Sequence, residues 1–416
     1  RGGAMAYDDT AFRQQSDDQT DGDPAAYRNG FAAADYRSRR RDLDPADGAR
    51  HAEVTADLGG RTGDGRDRLG VHLGWEIVLL LGVAAIGYLL YRLDPASLKR
   101  PALDTLLVAA AAIGLLTLGM GVTLRAGVPN LAIGPITLAA ELHYAENGDL
   151  GLVKSGLPAL VIAAAGGLVI AVLILALHVP GWAATLGAGL GVIVYDQLRT
   201  APVIVQGDYD PTDYATYIFG GFAVLAVLGG LLGTVGVVRR WLGRMRPDGD
   251  AAVRRGGAPA LPVIGSLVLS SVFATVAGIL MAAQSVKAIV PTTGLEWTGI
   301  ALGTALVAGT SAYGRRGGVF GTLLAVAGMT LFLDYSYRRN FDIALFAIAA
   351  CAIGGGLIIT RLVETYGKQL PLTLLDAAEN AAASTGSSRQ PDIWERATAA
   401  PPRSDRWDAG PWSGAR

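Results

Sequence analysis

Six acidic side chains stand within or at the edge of long apolar stretches: Glu76, Asp104, Glu141, Asp196, Glu296 and Asp334. A carboxylate in lipid is costly. It marks either an ion or proton pathway, or a position near a span end from which the side chain reaches water. All six lie near the ends of their stretches, which favours interfacial or helix-capping roles over a mid-membrane proton relay. Metal chemistry finds no footing, because His51, His72, His143 and His178 are scattered without ligand spacing. The single cysteine, Cys351, excludes a disulfide framework and a thiolate metal site. No Gly-x-x-x-x-Gly-Lys-Ser/Thr phosphate loop occurs; Gly151 to Ser155 has the wrong glycine spacing and no preceding buried strand. There is no His-Glu-x-x-His, and no Gly-x-Ser-x-Gly in a strand–turn–helix setting. The sequence therefore predicts neither an enzyme nor a chain with its own ATPase motif, and no cofactor.

The elements that must hold these residues are apolar. Of 416 residues, 51% are hydrophobic and 17% charged, with 56 glycines and a net charge of −1. Average soluble domains carry roughly 25% charge. The mean hydropathy is +0.36, and the apolar residues gather in long blocks between 74 and 362. This excludes an ordinary water-soluble enzyme, and the charge balance argues against a nucleic-acid binder. Residues 1–70 and 369–416 are polar and hold too few apolar side chains to offset chain entropy. They predict disordered cytoplasmic tails around a transmembrane domain at 71–368. The start lacks the basic region and apolar run of a signal peptide.

A bilayer core about 30 Å thick needs about 20 helical residues. Ten spans are predicted, near 74–93, 103–124, 128–142, 157–177, 182–198, 215–238, 261–281, 296–312, 317–334 and 341–362. The fold class is thus all-α, a polytopic membrane protein of about ten transmembrane helices. The third, fifth and eighth spans are short and rich in Gly, Pro or Thr, a composition tolerated where protein or a water-filled cavity covers the backbone. The strongest basic loop, with Arg239, Arg240, Arg244, Arg246, Arg254 and Arg255, is assigned to the cytoplasm. The loops with Glu146 and Asp149, and with Asp208, Asp210 and Asp213, then fall outside, and both termini inside. Lys99-Arg100 and Arg338-Arg339 land outside against the rule, although Asp94, Asp334 and Asp342 accompany them.

Three stretches carry a more specific signal. The first is Leu118-Gly119-Met120 followed by Val128 to Gly134. The second is Val179-Pro180 with Thr185-Leu186-Gly187. The third is Ala308 to Ser311 followed by Gly314 to Thr322. In this order they resemble the membrane permease subunit of ABC importers for ribose and other simple sugars. That superfamily also contains branched-chain amino-acid and nucleoside permeases. The resemblance spans roughly 74–362. The family's aspartate in the first motif is Asn130 here and its serine Ala132, while its acidic residue before the third motif aligns with Thr298. Pro129, Asn130 and Pro135 are expected to interrupt the third span and turn backbone groups toward a polar cavity.

The resemblance implies a plasma-membrane permease that pairs with a second permease copy or relative. It also implies separate cytoplasmic ATPase subunits that use ATP, and an extracellular solute-binding protein. ATPase coupling is expected at Asp250, Ala251, Ala252, Arg254 and Arg255, where this chain is shorter and more basic than the family's loop. Asn130, Thr137, Thr298, Thr304 and Thr310 are candidates for the substrate pathway, because amide and hydroxyl groups suit sugar hydroxyls. Two other readings stand beside this one: an ion-gradient-driven carrier or channel, and a non-transporting scaffold.

Overall fold

The computed structural model describes residues 69–235, 260–312 and 319–367. Among them lie ten α-helices and no β-strand. They are α1 Leu69–Leu93, α2 Ala102–Arg125, α3 Ile133–Asn147, α4 Leu152–Leu177, α5 Gly181–Asp196, α6 Ala215–Thr234, α7 Ala260–Gln284, α8 Leu295–Val307, α9 Gly321–Arg338 and α10 Leu345–Gly367. One helix occupies each predicted span, in the predicted order. Both predicted tails, the basic loop with its five coupling residues, and the turn at Gly314 to Gly318 lie outside the described residues.

Six segments, Val71–Leu93, Ala102–Arg125, Leu152–Leu177, Pro211–Gly233, Ala260–Gln284 and Leu345–Val363, are long and apolar enough to cross a membrane. The chain is a polytopic helical membrane protein. The outer helices turn large apolar side chains outward, among them Val161, Ile162 and Val169 of α4 and Val224 and Leu228 of α6. Water would penalise such a surface, and lipid does not. The short helices α3, α5 and α8 have 15, 16 and 13 residues, or about 20–24 Å of rise, less than the bilayer core.

The boundaries of the third span differ from expectation for a clear reason. Pro129 and Asn130 precede α3 rather than interrupt it, and Pro135 sits in its first turn, where the missing N–H costs no helical bond. The eighth span is shorter than predicted. The helix ends at Val307, and Thr310 N closes the last turn by donating to Ala305 O at 3.0 Å.

Helices α2 and α7 pack against each other at the centre, and the rest arrange around them as two related halves. In the first half α3 and α4 pack on α7; in the second α8 and α9 pack on α2. Likewise α5 packs on α3, and α10 on α8. The correspondence covers α2–α5 and α7–α10; α1 packs on α9 and α10, and α6 on α2 and α9. Helix α2 runs toward the end that holds Val128, and α7 starts from that end at Val263, so the two sets run in opposite directions. The short helices α3 and α8 meet between them. Gly134 of α3 faces Gly294 and Thr298 at the start of α8 so closely that a Cβ on Gly134 would lie 2.6 Å from Thr298 N.

Two apolar clusters mark the ends. One joins Ala126 and Val128 after α2 with Ile170 and Ile174 of α4 and Val263 and Leu267 of α7. The other joins Leu142 and Ala145 of α3 with Ile279 and Ala282 of α7, beneath Val203, Val205 and Ile289. The first end is the one from which α6 leads into the arginine-rich segment, the second the one that carries Asp149, Asp208, Asp210 and Asp213. They are called the basic and acidic ends below.

Candidate functional site

The five predicted pathway residues are all buried. Asn130 works as a splice at the basic end. Its Nδ2 donates to Ser270 Oγ at 3.0 Å, its Oδ1 accepts from Ala132 N at 3.1 Å, and its own N–H reaches Thr123 Oγ1 at 3.2 Å. Thr298 Oγ1 accepts from Gly134 N at 3.0 Å and donates to Leu131 O at 3.2 Å, so it ties α8 to the start of α3. Thr137 donates into its own helix, to Ile133 O at 2.8 Å. Thr304 is fully buried and its hydroxyl finds no partner. Thr310 is 2% exposed, beyond the end of α8.

Asn130 and Thr298 thus share the α3 start, while Thr304 and Thr310 lie further along the α8 segment. The expectation that Pro129 to Pro135 turns its backbone toward a cavity is corrected. Thr185 Oγ1 donates to Pro129 O at 2.8 Å, and Thr123, Asn130 and Thr298 satisfy the other freed groups. Side chains from neighbouring helices compensate this backbone, as low-dielectric surroundings require.

A cavity of about 290 Å³ opens instead at the acidic end, between α2, α7, α8 and α9. Its floor is apolar, with Ile113, Met281 and Leu333; Thr105, Gln284 and Asp334 stand at the polar level, and the indole of Trp297 forms a wall. The first turn of α8 places Trp297 there, the last residue of α7 places Gln284, and the C-terminal half of α9 places Asp334. Gln284 Nε2 donates to Thr105 O at 3.1 Å, joining the rims of α7 and α2.

The corresponding helices at the basic end, α7, α2, α3 and α4, are held together by close contacts among the described residues. There Asn130 bonds Ser270, Val128 packs on Leu267, and α4 approaches α7 so closely at Gly167 that an added Cβ would stand 2.8 Å from Leu267 O. Among the described residues, a cavity opens at the acidic seam, and polar bonds and close packing join the corresponding helices at the basic seam.

Carboxylates converge on the acidic end. Glu141 of α3 lies within electrostatic reach of Asp196, the last residue of α5, and of Glu296 in the first turn of α8. Asp196 is fully buried with neither oxygen hydrogen-bonded, and Glu141 Oε1 and Glu296 Oε2 are also unpartnered. Sequence reading placed each near a span end but could not bring them together, since they sit on three separate helices.

Three arginines at this end have acidic partners. Arg199 donates to both oxygens of Glu146, at 2.6 and 2.8 Å, and this pairing holds the guanidinium pKa above its usual value. Arg338 spans Asp94 and Asp334, each at 2.7 Å. Arg100 lies 3.5 Å from Asp104 Oδ1 and donates to Thr216 at 2.9 Å. In the neighbouring loop, burial pushes the Tyr209 phenol up, and the hydrogen bonds from Thr212 hold Asp210 below the ordinary carboxylate range.

Two contacts at the basic end fasten the outer helix α1. Trp75 Nε1 donates to Val307 O at 2.8 Å, and Glu76 Oε1 accepts from Phe320 N at 2.7 Å. Glu76 is therefore a cap for α9 supplied by another helix. No group of three or more His, Cys, Asp or Glu able to hold a metal occurs among the described residues. No family model, curated protein or solved structure compared with the chain matches it.

Proposed function

We propose that this chain is the membrane-spanning permease subunit of an ATP-driven ABC importer for a small polar solute. The observation that carries the reading is the asymmetry between the two helix sets. A cavity lies between α2, α7, α8 and α9 at the acidic end, while the counterpart helices α7, α2, α3 and α4 are joined by the Asn130–Ser270 bond and the close approach at Gly167. A transport path needs two such states that exchange, and a two-fold related pair of seams supplies them.

In this reading the acidic end faces outward and receives solute from a binding protein. The basic end, with both termini, faces the cytoplasm of the cell from its plasma membrane. Separate ATPase subunits dock on the segment containing Asp250, Ala251, Ala252, Arg254 and Arg255 and use ATP there. A second permease copy or relative completes the assembly. The three motifs that resemble the sugar permeases support the ATPase-coupled class and favour a sugar-sized solute over the nucleoside and branched-chain amino-acid alternatives.

One observation favours a second reading, an ion-gradient-driven carrier: Asp196 and Glu141 are buried acids, with both oxygens of Asp196 and Oε1 of Glu141 lacking a partner, the kind of group a proton relay uses. Uptake by cells whose proton gradient and membrane potential are collapsed while ATP is kept separates the two. Continued uptake, abolished when ATP is depleted with the gradients kept, is the expected result. Uptake that stops with the gradients selects the carrier.

A further inference from the structure

Arg125, the last residue of α2, is a cation without a counter-charge. Arg100, Arg199 and Arg338 each meet a carboxylate, whereas no ion pair reaches Arg125 among the described residues. Its guanidinium makes a single hydrogen bond there, from Nη1 to Gly229 O of α6 at 3.3 Å. Nε is buried and bonds nothing. A charge withdrawn from water and left unpaired is costly, and lipid tails offer no group to answer it. The guanidinium also borders unfilled space. Gly114, Gly121 and Arg125 stand at helical spacing on one face of α2, as Phe222 and Gly229 do on α6. These faces meet. The Phe222 ring sits where a side chain on Gly114 would be, and Ala226 and Leu118 join it in one apolar cluster. Further toward the basic end the filling stops: nothing stands within 4 Å of a Cβ added to Gly121 or to Gly229. The flank of α6 beside this gap is apolar and exposed, with Val224, Leu225, Leu228 and Leu232.

We infer that the α2–α6 seam at the basic end is a binding site for an anionic phospholipid, whose phosphate pairs with Arg125 while an acyl chain lies along α6. Charge, place and shape each select this ligand. The unpaired guanidinium calls for an anion, and its planar fork of N–H donors matches two phosphate oxygens. Arg125 ends a membrane span, the level at which headgroups lie, and basic pockets between transmembrane helices hold such headgroups. The approach along Val224, Leu225, Leu228 and Leu232 suits a hydrocarbon chain, whereas a free phosphate would gain nothing from it. The site requires only that the chain lie in a bilayer, so failure of ATP-driven uptake would leave it standing.

The test uses the full chain in nanodiscs of phosphatidylcholine alone and of phosphatidylcholine mixed with phosphatidylglycerol. Lipid that stays on the protein after transfer to detergent is identified by native mass spectrometry, and melting temperature is read in both bilayers. The parent is expected to retain phosphatidylglycerol about fivefold above its share of the mixed bilayer, and to melt higher there. Arg125→Gln should bring retention down to the bilayer ratio, and Arg125→Lys, which keeps the charge without the fork, should preserve part of the enrichment. Gly229→Leu fills the gap and leaves the guanidinium in place. It too should abolish the enrichment, so the result does not hang on one variant folding. Arg361→Gln removes an exposed charge near the end of α10, at the same basic end, and should change nothing. Retention at the bilayer ratio in the parent, enrichment that survives Arg125→Gln or Gly229→Leu, or an equal loss in Arg361→Gln overturns the inference. Inorganic phosphate added to the phosphatidylcholine nanodiscs is the last arm: a rise in melting temperature equal to that given by phosphatidylglycerol would rule out the lipid as the ligand.

Discussion

Asn130 shows how one side chain can replace a stretch of helix. It joins the end of α2, the start of α3 and the middle of α7 through three hydrogen bonds, all buried. Replacing it by alanine strands Ala132 N and Ser270 Oγ, at about 1–3 kcal/mol for the buried groups left unpaired. Asn130→Ala is expected to melt several degrees lower than the parent in nanodiscs, whereas Thr137→Val, which loses only a bond into its own helix, is expected to shift far less.

A second residue-scale consequence concerns pH. Asp210 accepts from Thr212 N at 2.9 Å and Thr212 Oγ1 at 2.7 Å, and its folded pKa lies below the ordinary value. A depressed carboxylate contributes stability above its unfolded pKa of about 4, and loses it as pH falls through the folded value. Hydrogen exchange at Thr212 N–H should therefore speed up below about pH 4 beyond the intrinsic trend, and Asp210→Asn should remove that extra acceleration. An unchanged profile in Asp210→Asn would show that the cap does not titrate.

At the scale of elements, the sequence made all ten helices legible, because length and apolarity report directly on lipid burial. Glycine and proline content also marked α3, α5 and α8 as short. It did not reveal what those interruptions do. Pro129 to Gly134 reads as backbone released toward a cavity, but the groups that satisfy it, Thr123, Thr185 and Thr298, come from elsewhere in the chain, and local pattern carries no trace of such partners. The same limit hid the acidic-end cavity. Trp297, Gln284 and Thr105 are unremarkable at span ends until α2, α7 and α8 are packed, whereas the hydroxyl-bearing Thr137 and Thr304 stood out by type and are buried.

The α3–α8 crossing offers a direct test of the packing. An alanine Cβ at Gly134 would lie 2.6 Å from Thr298 N, and one at Gly294, whose φ is 65°, would lie 2.6 Å from Gly134 O. Gly134→Ala and Gly294→Ala should each destabilise the protein by about 1–3 kcal/mol through overpacking. Gly191→Ala on α5, where nothing stands within 4 Å, should be neutral or stabilise by up to about 1 kcal/mol through helix propensity. Thermal melts of the three variants in the same lipid decide the matter, and equal shifts would refute a close-packed crossing.

For the whole molecule, the matching arrangement of α2–α5 and α7–α10 is the feature on which the proposed transport reading rests. It puts equivalent seams at opposite ends. The basic seam is held by polar bonds and the close approach at Gly167, and the acidic one opens on a cavity lined by Asp334, Gln284, Trp297 and apolar side chains. In the proposed permease, exchange between two states would shift α3 and α8 against α7 and α2. The most direct measurement is sided labelling in intact cells, in a Cys351→Ser background, with a membrane-impermeant maleimide. Thr105→Cys in the cavity should react from outside. Ser270→Cys in the basic seam and Asp250→Cys in the basic segment should be protected, with Asp250→Cys reacting only after permeabilisation. Reaction of Asp250→Cys or Ser270→Cys in intact cells, with Thr105→Cys protected, would contradict both the orientation and the outward-open path.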